Sequence, residues 1–289
     1  MRVMLHSEVE RLALRHVPGD GAVTVERLGV GLVNESYRVM RNGRPYSLRI
    51  PSPHGRALGL DHEWECRVLE CAAAEGIAPH VECCDACEGI LVMRFAPGRV
   101  WTPDELRVPA NLERIAQLAR RIHRLHIPDG ARTMGPAEWI GHYRQAPAPH
   151  EGLGLGDLQS ALADHLAEHA ALPPAVPVLC HSDLHLENIV VGEHGLMLLD
   201  WEYAHVSEPL WDLAGWIGNN DLSADCAELL LARYLERQPT EAESARLRLL
   251  AWLYDYTCLA WIELYLKMGL RSGESMSGRA QALMSRLRR

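Results

Sequence analysis

His181, Asp183, His185, Glu187 and Asn188 open the stretch VLCHSDLHLENIVVGEHGLMLLDWEY at residues 178–203, and Asp200 with Glu202 closes it. Between the two polar groups lie apolar runs at 189–191 and 196–199. They are too short for helices and rich in branched residues, and Gly192, Glu193, His194 and Gly195 separate them, which predicts a β-hairpin. Antiparallel pairing sets Val191 against Leu196, Ile189 against Leu198 and Asn188 against Leu199, leaving Asn188 and Asp200 side by side at the open end. Opposed residues in such a ladder have Cα atoms about 4.5–5.5 Å apart. An amide oxygen and a carboxylate therefore meet, a donor pair that suits Mg²⁺, which completes its octahedron with water and phosphate oxygens. Asp183 stands before Asn188 at the spacing D-x-x-x-x-N and is an acid able to accept a proton. His181, Asp183 and His185 at alternate positions could instead ligate zinc or iron in a metallohydrolase. That reading gives Asn188, the hairpin and Asp200 no task.

Upstream of this stretch the chain opens with a short helix over residues 7–16. Residues 23–50 then alternate as strands do, with Asn42-Gly43 as the hairpin turn between the last two. A glycine-containing turn at Gly29, Gly31 and Asn34 lies between the first two strands and could present backbone N–H groups to phosphate. Arg49 is the cation of the third strand. A helix over 61–75 carries Glu63 and Glu65 and is closed by Gly76, with Pro79 just beyond. Residues 90–95 form a last strand, broken at Ala96-Pro97-Gly98. The remainder of the chain is mainly helical, with helices over 111–126, 157–170 and 241–268. On the first of these His123 and His126 read as packing or surface residues. The Pro- and Gly-rich segment 127–156 reads as a long insertion or lid.

Over the whole chain the 289 residues carry a net charge of -9, and the basic tail at 286–289 is short, which argues against a nucleic-acid partner. No signal-peptide or membrane-spanning run is present, so a cytoplasmic enzyme is the expectation. Cys83, Cys84 and Cys87 could be half of a zinc site, but no second pair accompanies them. All of the cysteines are expected to be reduced, mostly buried thiols.

The wording H-x-D-x-x-x-x-N (His181, Asp183, Asn188), followed by a hairpin ending in Asp200-Trp201-Glu202-Tyr203, resembles the catalytic core of the protein-kinase-like fold. It is most similar to the aminoglycoside phosphotransferase and choline kinase superfamily, in particular bacterial choline, ethanolamine and thiamine kinase-type members. The eukaryotic protein kinases, with H-R-D and D-F-G, match less well. The resemblance implies an α+β, bilobal fold: a small N-terminal lobe over 1–95 with an antiparallel sheet and one helix, and a larger, mainly helical lobe over 96–289.

It also implies ATP and Mg²⁺, with Asp183 orienting and deprotonating an acceptor hydroxyl, His181 tying the loop down, and Asn188 and Asp200 holding the metal. Asp212, in Glu208-Pro-Leu-Trp211-Asp212, would anchor the catalytic loop. Gly29, Gly31, Asn34, Arg49, Glu65 and the backbone of Met93 to Phe95 would bind the nucleotide. Arg49 stands where the family has lysine, and Val33 where it usually has a hydroxyl residue. For the acceptor, Trp252, Tyr256 and Trp261, with Glu202 and Asp255 adding negative charge, could receive a small cationic amino alcohol through cation–π attraction. The aromatic residues could equally be core packing. Thiamine or an aminoglycoside is the alternative acceptor, and a catalytically degenerate binding protein is the alternative of another class.

Overall fold

Alternation builds the first sheet. In the computed structural model, which describes residues 4–28, 32–150, 152–193, 195–270 and 274–289, strand β2 (Glu35–Arg41) buries every second residue, and β3 (Arg44–Ile50) pairs with it through the turn at Asn42 and Gly43, both at positive φ. β1 (Val23–Arg27) extends this sheet on one side. β4 (Val81–Asp85) and β5 (Ile90–Arg94) extend it on the other, in the order β1-β2-β3-β5-β4. Tyr37, Val39, Tyr46, Leu48, Ile50, Ile90 and Val92 form one apolar face, covered by Val9, Ala13 and Val17 in and just after helix α1 (His6–His16). A fully buried side chain such as Leu48 contributes about 1.5–3 kcal/mol. Because successive strand residues point to opposite faces, Arg49, between Leu48 and Ile50, lies on the other face of the sheet, cross-strand from Ser36.

Helix α2 (His62–Ala74) starts where the Asp61 carboxylate accepts from the Trp64 N–H at 3.1 Å, and it buries Trp64, Glu65, Val68, Leu69 and Ala72. Gly76, at φ +65°, ends it. Cys66 of α2 is disulfide-bonded to Cys84 of β4 with a Cα–Cα distance of 5.8 Å, which corrects the expectation that all cysteines are reduced. The zinc reading of Cys83, Cys84 and Cys87 falls with it. Cys83 faces the other way and meets His16 Nδ1 at 3.7 Å, and Cys87 is exposed in the turn after β4. Strand β4 has no counterpart in the sequence pattern, since its residues are all half-buried and show no alternation.

The chain folds as two compact units. The first consists of Met1–Trp101, Pro128–Gly130 and Glu187–Tyr203. The last of these segments brings in the hairpin β7 (Ile189–Gly192) and β8 (Gly195–Leu198), whose register is Ile189 to Leu198 and Val191 to Leu196. Two sets of backbone bonds fasten it: Leu198 N–H to the Ile77 carbonyl at 2.8 Å, and Val191 N–H to the Arg99 carbonyl at 2.7 Å. The second approach needs Gly98, at φ +149°, where a Cβ would stand 2.4 Å from the Val191 carbonyl oxygen.

The second unit is mainly helical: α3 (Pro109–Ile122), α4 (Pro136–Gln145), α5 (Gln159–Ala171), α6 (Leu210–Asn219), α7 (Ala224–Leu235), α8 (Glu241–Lys267) and α9 (Glu274–Leu287). A two-stranded ribbon joins them, β6 (Val178–Cys180) antiparallel to β9 (His205–Ser207). Helix α8 is the centre, buried on several sides by α4, α5, α6 and α9. The segment expected as an insertion or lid holds α4, begun by Pro136, with Trp139, Ile140 and Tyr143 buried, so at least that part is packed structure. No helix among the described residues is long and apolar enough to cross a membrane.

The disulfide closes a chain loop with a sequence separation of 18, for which the loop-entropy relation gives about 3 kcal/mol. Guanidinium unfolding of the oxidised chain, compared with Cys66→Ser/Cys84→Ser, should show a loss of about that size in unfolding free energy. Equal midpoints and slopes would mean that the bond stabilises nothing.

Candidate active site

In the first unit the site is built around a caged cation. Arg49 is 8% exposed, and its Nη2 donates to Glu65 Oε2, while Nη1 donates to Asp200 Oδ1 at 2.8 Å and lies 3.5 Å from Glu202 Oε2. Glu63, the other carboxylate considered on α2, is exposed and paired with Arg67. Asn34 donates through Nδ2 to Glu202 Oε2 and accepts the Ser52 N–H at 3.1 Å, so the end of the β1–β2 turn is tied to the segment after β8. Gly29 and Gly31 lie outside the described residues. Burial works to lower the pKa of Arg49, but the charges of Glu65, Glu202 and Asp200 raise it well above its ordinary value. Glu65 is held down in turn: burial opposes ionisation, and the Arg49 charge outweighs it.

Asn188 stands opposite Leu199, as the hairpin register implies. The Leu199 N–H donates to the Asn188 carbonyl at 2.8 Å, Asn188 is buried, and Asp200 has φ +59°. A non-glycine residue in the left-handed region costs about 1–2 kcal/mol, which is the cost of turning the chain sharply after β8. Three carboxylates around one guanidinium leave an excess of negative charge, and the donors at the hairpin's end are an amide and a carboxylate. That oxygen-only set fits a hard divalent cation.

Two expectations change here. The Phe95 N–H, offered to a nucleotide base by the resemblance, donates to the Pro45 carbonyl at 3.2 Å, because the β3–β5 ladder runs one bond further than the strand pattern suggests. Met93 is likewise within that ladder, opposite Ser47. Glu202, expected beside an acceptor cation, is 7% exposed, and its charge is taken up by Arg49 and Asn34.

In the second unit the site is an anchored loop. Asp212 of α6 is fully buried and accepts from the backbone N–H of His181 at 3.0 Å, the N–H of Ser182 at 2.7 Å and the His123 imidazole at 3.0 Å. His123 is clamped on its other nitrogen by the Tyr234 hydroxyl at 2.8 Å. Burial opposes the Asp212 charge, but the His123 bond and charge, with His181 and the Ser182 N–H, hold its pKa below the ordinary carboxylate range. His181 is buried, and its Nδ1 accepts the Asp183 N–H at 3.3 Å. Ser182, at φ +67°, turns the loop.

The Asp183 carboxylate lies 3.4 Å from His185 Nε2. Burial raises its pKa, but His185, then His181 and Arg279, bring it below the usual value, so Asp183 is ionised at neutral pH. His123 is thus more than the packing or surface residue expected of it. The signal that finds it is its place on the buried stripe of α3, four after Ala119, where a polar ring must have partners.

The aromatic residues of α8 divide as the helical spacing implies. Trp261 stacks on Tyr265 at 5.1 Å, and Trp252 stacks on Tyr256 at 5.7 Å and on His165 of α5 at 4.0 Å. Tyr256 is fully buried and its hydroxyl accepts from Gln159, which corrects its assignment to an acceptor. Trp252 donates its Nε1 hydrogen to the Leu287 carbonyl at 3.2 Å, and Asp255 is bound to Arg286. Trp261 remains half-buried.

A small antiparallel sheet with a caged arginine, and a helical unit with an acid on an anchored loop, together define a kinase-like phosphotransferase fold. Residues 24–250 match the model of the phosphotransferase enzyme family (APH), and the chain belongs to that family. It is 36% identical over 74 residues to protein LicA of Haemophilus influenzae, a stretch that is 24% of this chain and spans only 28% of LicA. Its fold is similar to that of a choline/ethanolamine kinase family protein from Mesorhizobium loti (TM-score 0.79, 23% identity, 98% of this chain and 94% of that one). It is also similar to the choline kinase LicA of Streptococcus pneumoniae (TM-score 0.79, 20% identity, 98% of each chain).

Replacing Asp212 with Ala strands two buried N–H groups and the His123 imidazole, and should cost about 3–5 kcal/mol in unfolding free energy. The depressed pKa of Asp212 gives a second check. Its contribution is complete above the unfolded-state carboxylate pKa and is lost as pH falls through the lower, folded value. Acid titration followed by circular dichroism should therefore find that the wild-type advantage over Asp212→Ala shrinks only below the ordinary carboxylate range.

Proposed function

We propose that this chain transfers the γ-phosphoryl group of ATP to the hydroxyl of a small amino alcohol of the choline or ethanolamine kind. The observation that carries the reading is the Asp183 carboxylate, ionised on a loop pinned by Asp212, with Asn188 and Asp200 further along the same stretch of chain. Bound Mg²⁺ would neutralise phosphate charge, and Asn188 and Asp200 are the residues that would hold it. Asp183 accepts a hydrogen bond from the acceptor hydroxyl, orients it in line and takes its proton as the oxygen attacks phosphorus. Arg49, fixed by Glu65, is the cation for the nucleotide phosphates, and its planar fork suits two phosphate oxygens where a lysine offers a point charge.

The family membership and the likeness to choline and ethanolamine kinases support the acceptor class. Trp261, half-buried on α8, is the aromatic residue assigned to the cation. A second reading, a kinase-fold protein that binds nucleotide without chemistry, is favoured by one observation, the ion pair that places Arg49 on the Asp200 carboxylate.

ADP release with Mg-ATP should be measured against choline, ethanolamine, thiamine, an amino sugar and an aminoglycoside, with Asp183→Asn as the blank. Turnover on choline or ethanolamine, lost in Asp183→Asn while ATP still binds, is the expected result. Turnover on thiamine or an aminoglycoside alone would replace the acceptor class. ATP binding with no turnover on any acceptor would favour the second reading. Asp200→Ala should weaken ATP binding in the presence of Mg²⁺ and leave the weaker binding in EDTA nearly unchanged. Equal affinities in Mg²⁺ would put the metal elsewhere.

A further inference from the structure

Helix α9 carries two arginines with different surroundings. Arg286 docks the helix: its Nε and Nη2 each donate to the Asp255 carboxylate at 2.5 Å, and Nη1 donates to Asp221 at 3.2 Å. Arg279 is exposed, and no ion pair to a carboxylate is found for it among the described residues. Its Nη2 donates instead to a neutral group, Asn219 Oδ1, at 3.1 Å.

Asn219 is the link that gives this contact meaning. Its Nδ2 donates to the Leu184 carbonyl at 3.2 Å and to the Tyr254 hydroxyl at 3.0 Å, and that hydroxyl donates to the Ser182 carbonyl at 3.0 Å. Ser182 and Leu184 are the two neighbours of Asp183. One amide thus holds the Arg279 guanidinium and both sides of the base in a single hydrogen-bonded frame. The Arg279 charge reaches the Asp183 carboxylate, where it adds to the larger effects of His185 and His181.

We propose that Arg279 is a catalytic residue of the phosphoryl transfer, neutralising the phosphoryl oxygens as the group passes to the acceptor at Asp183. This rests on Asp183 being the base. In the step, a bond forms between the acceptor oxygen and the γ-phosphorus. The bond from that phosphorus to the β–γ bridging oxygen breaks, its electron pair leaves on ADP, and the hydroxyl proton goes to Asp183. Negative charge spreads over the equatorial oxygens at mid-transfer, and a guanidinium beside the base meets them with paired N–H donors. Among the described residues Arg279 makes no ion pair that it would have to break in turning toward a phosphate, whereas Arg286 is paired with both Asp255 and Asp221.

The test uses the full chain, Mg-ATP and whichever of choline or ethanolamine turns over, and compares wild type, Arg279→Met, Arg279→Lys and Asp183→Asn for kcat, both KM values and Tm. Arg279→Met should lower kcat by about 10²–10³-fold, with the acceptor KM within about twofold and Tm unchanged, and Arg279→Lys should recover part of the loss. A kcat within threefold of wild type overturns the proposal. So does a rise confined to the acceptor KM, which would make Arg279 a reader of the acceptor. A loss matched by a fall in Tm, or equal in the Met and Lys variants, would reduce it to a support for α9. An active Asp183→Asn protein would sink the assignment of the base itself, whereas a dead Asp183→Asn beside an active Arg279→Met removes only Arg279.

Discussion

The Asp212 carboxylate is the constraint on which the shape of the loop bearing Asp183 depends. It is a charge with no exposure, tolerable because both of its oxygens meet donors: two successive backbone N–H groups and an imidazole that is itself held from behind. The two N–H groups belong to the turn immediately before Asp183, so satisfying one buried charge also fixes the backbone that presents Asp183. Substitution here acts on stability and on positioning together, because both come from the same hydrogen bonds.

The sheet unit solves the opposite problem. Arg49 is a buried cation surrounded by more carboxylates than it can neutralise, and it draws α2, the hairpin end and, through Asn34, the β1–β2 turn onto one point. A surplus of negative charge in a partly dry site is costly unless another cation shares it. On the proposed reading, a divalent ion held by Asn188 and Asp200 would share that surplus, and the ion pair from Arg49 to Asp200 is the interaction it would alter.

Much of this is legible from residue order. The β7–β8 register follows from the period-2 pattern and the glycine-bounded turn, and it places Asn188 next to Leu199 as observed. The turn at Asn42-Gly43 and the helix ending at Gly76 are equally clear, because each is set by local stereochemistry. Features fixed by partners distant in sequence escape such a reading. Strand β4 lacks alternation because both of its faces are half-covered, and the bond from Cys84 to Cys66 depends on α2 lying against it. Tyr256 reads as a ligand contact because helical spacing gives the face of a side chain but not what already covers that face. His123 reads as a packing residue, although its position on a buried stripe requires a polar partner, and Asp212 supplies it.

The sheet unit is assembled from three separate stretches of chain, the last ending at Tyr203. During synthesis, therefore, the five-stranded sheet emerges well before the hairpin that caps it, and the Ile77 and Arg99 carbonyls wait for N–H groups that have not yet been made. Much of the helical unit is translated in that interval. The hairpin that carries Asn188 and Asp200 is thus a late-arriving closure, and the order of emergence ties completion of the sheet unit to prior synthesis of the loop that bears Asp183.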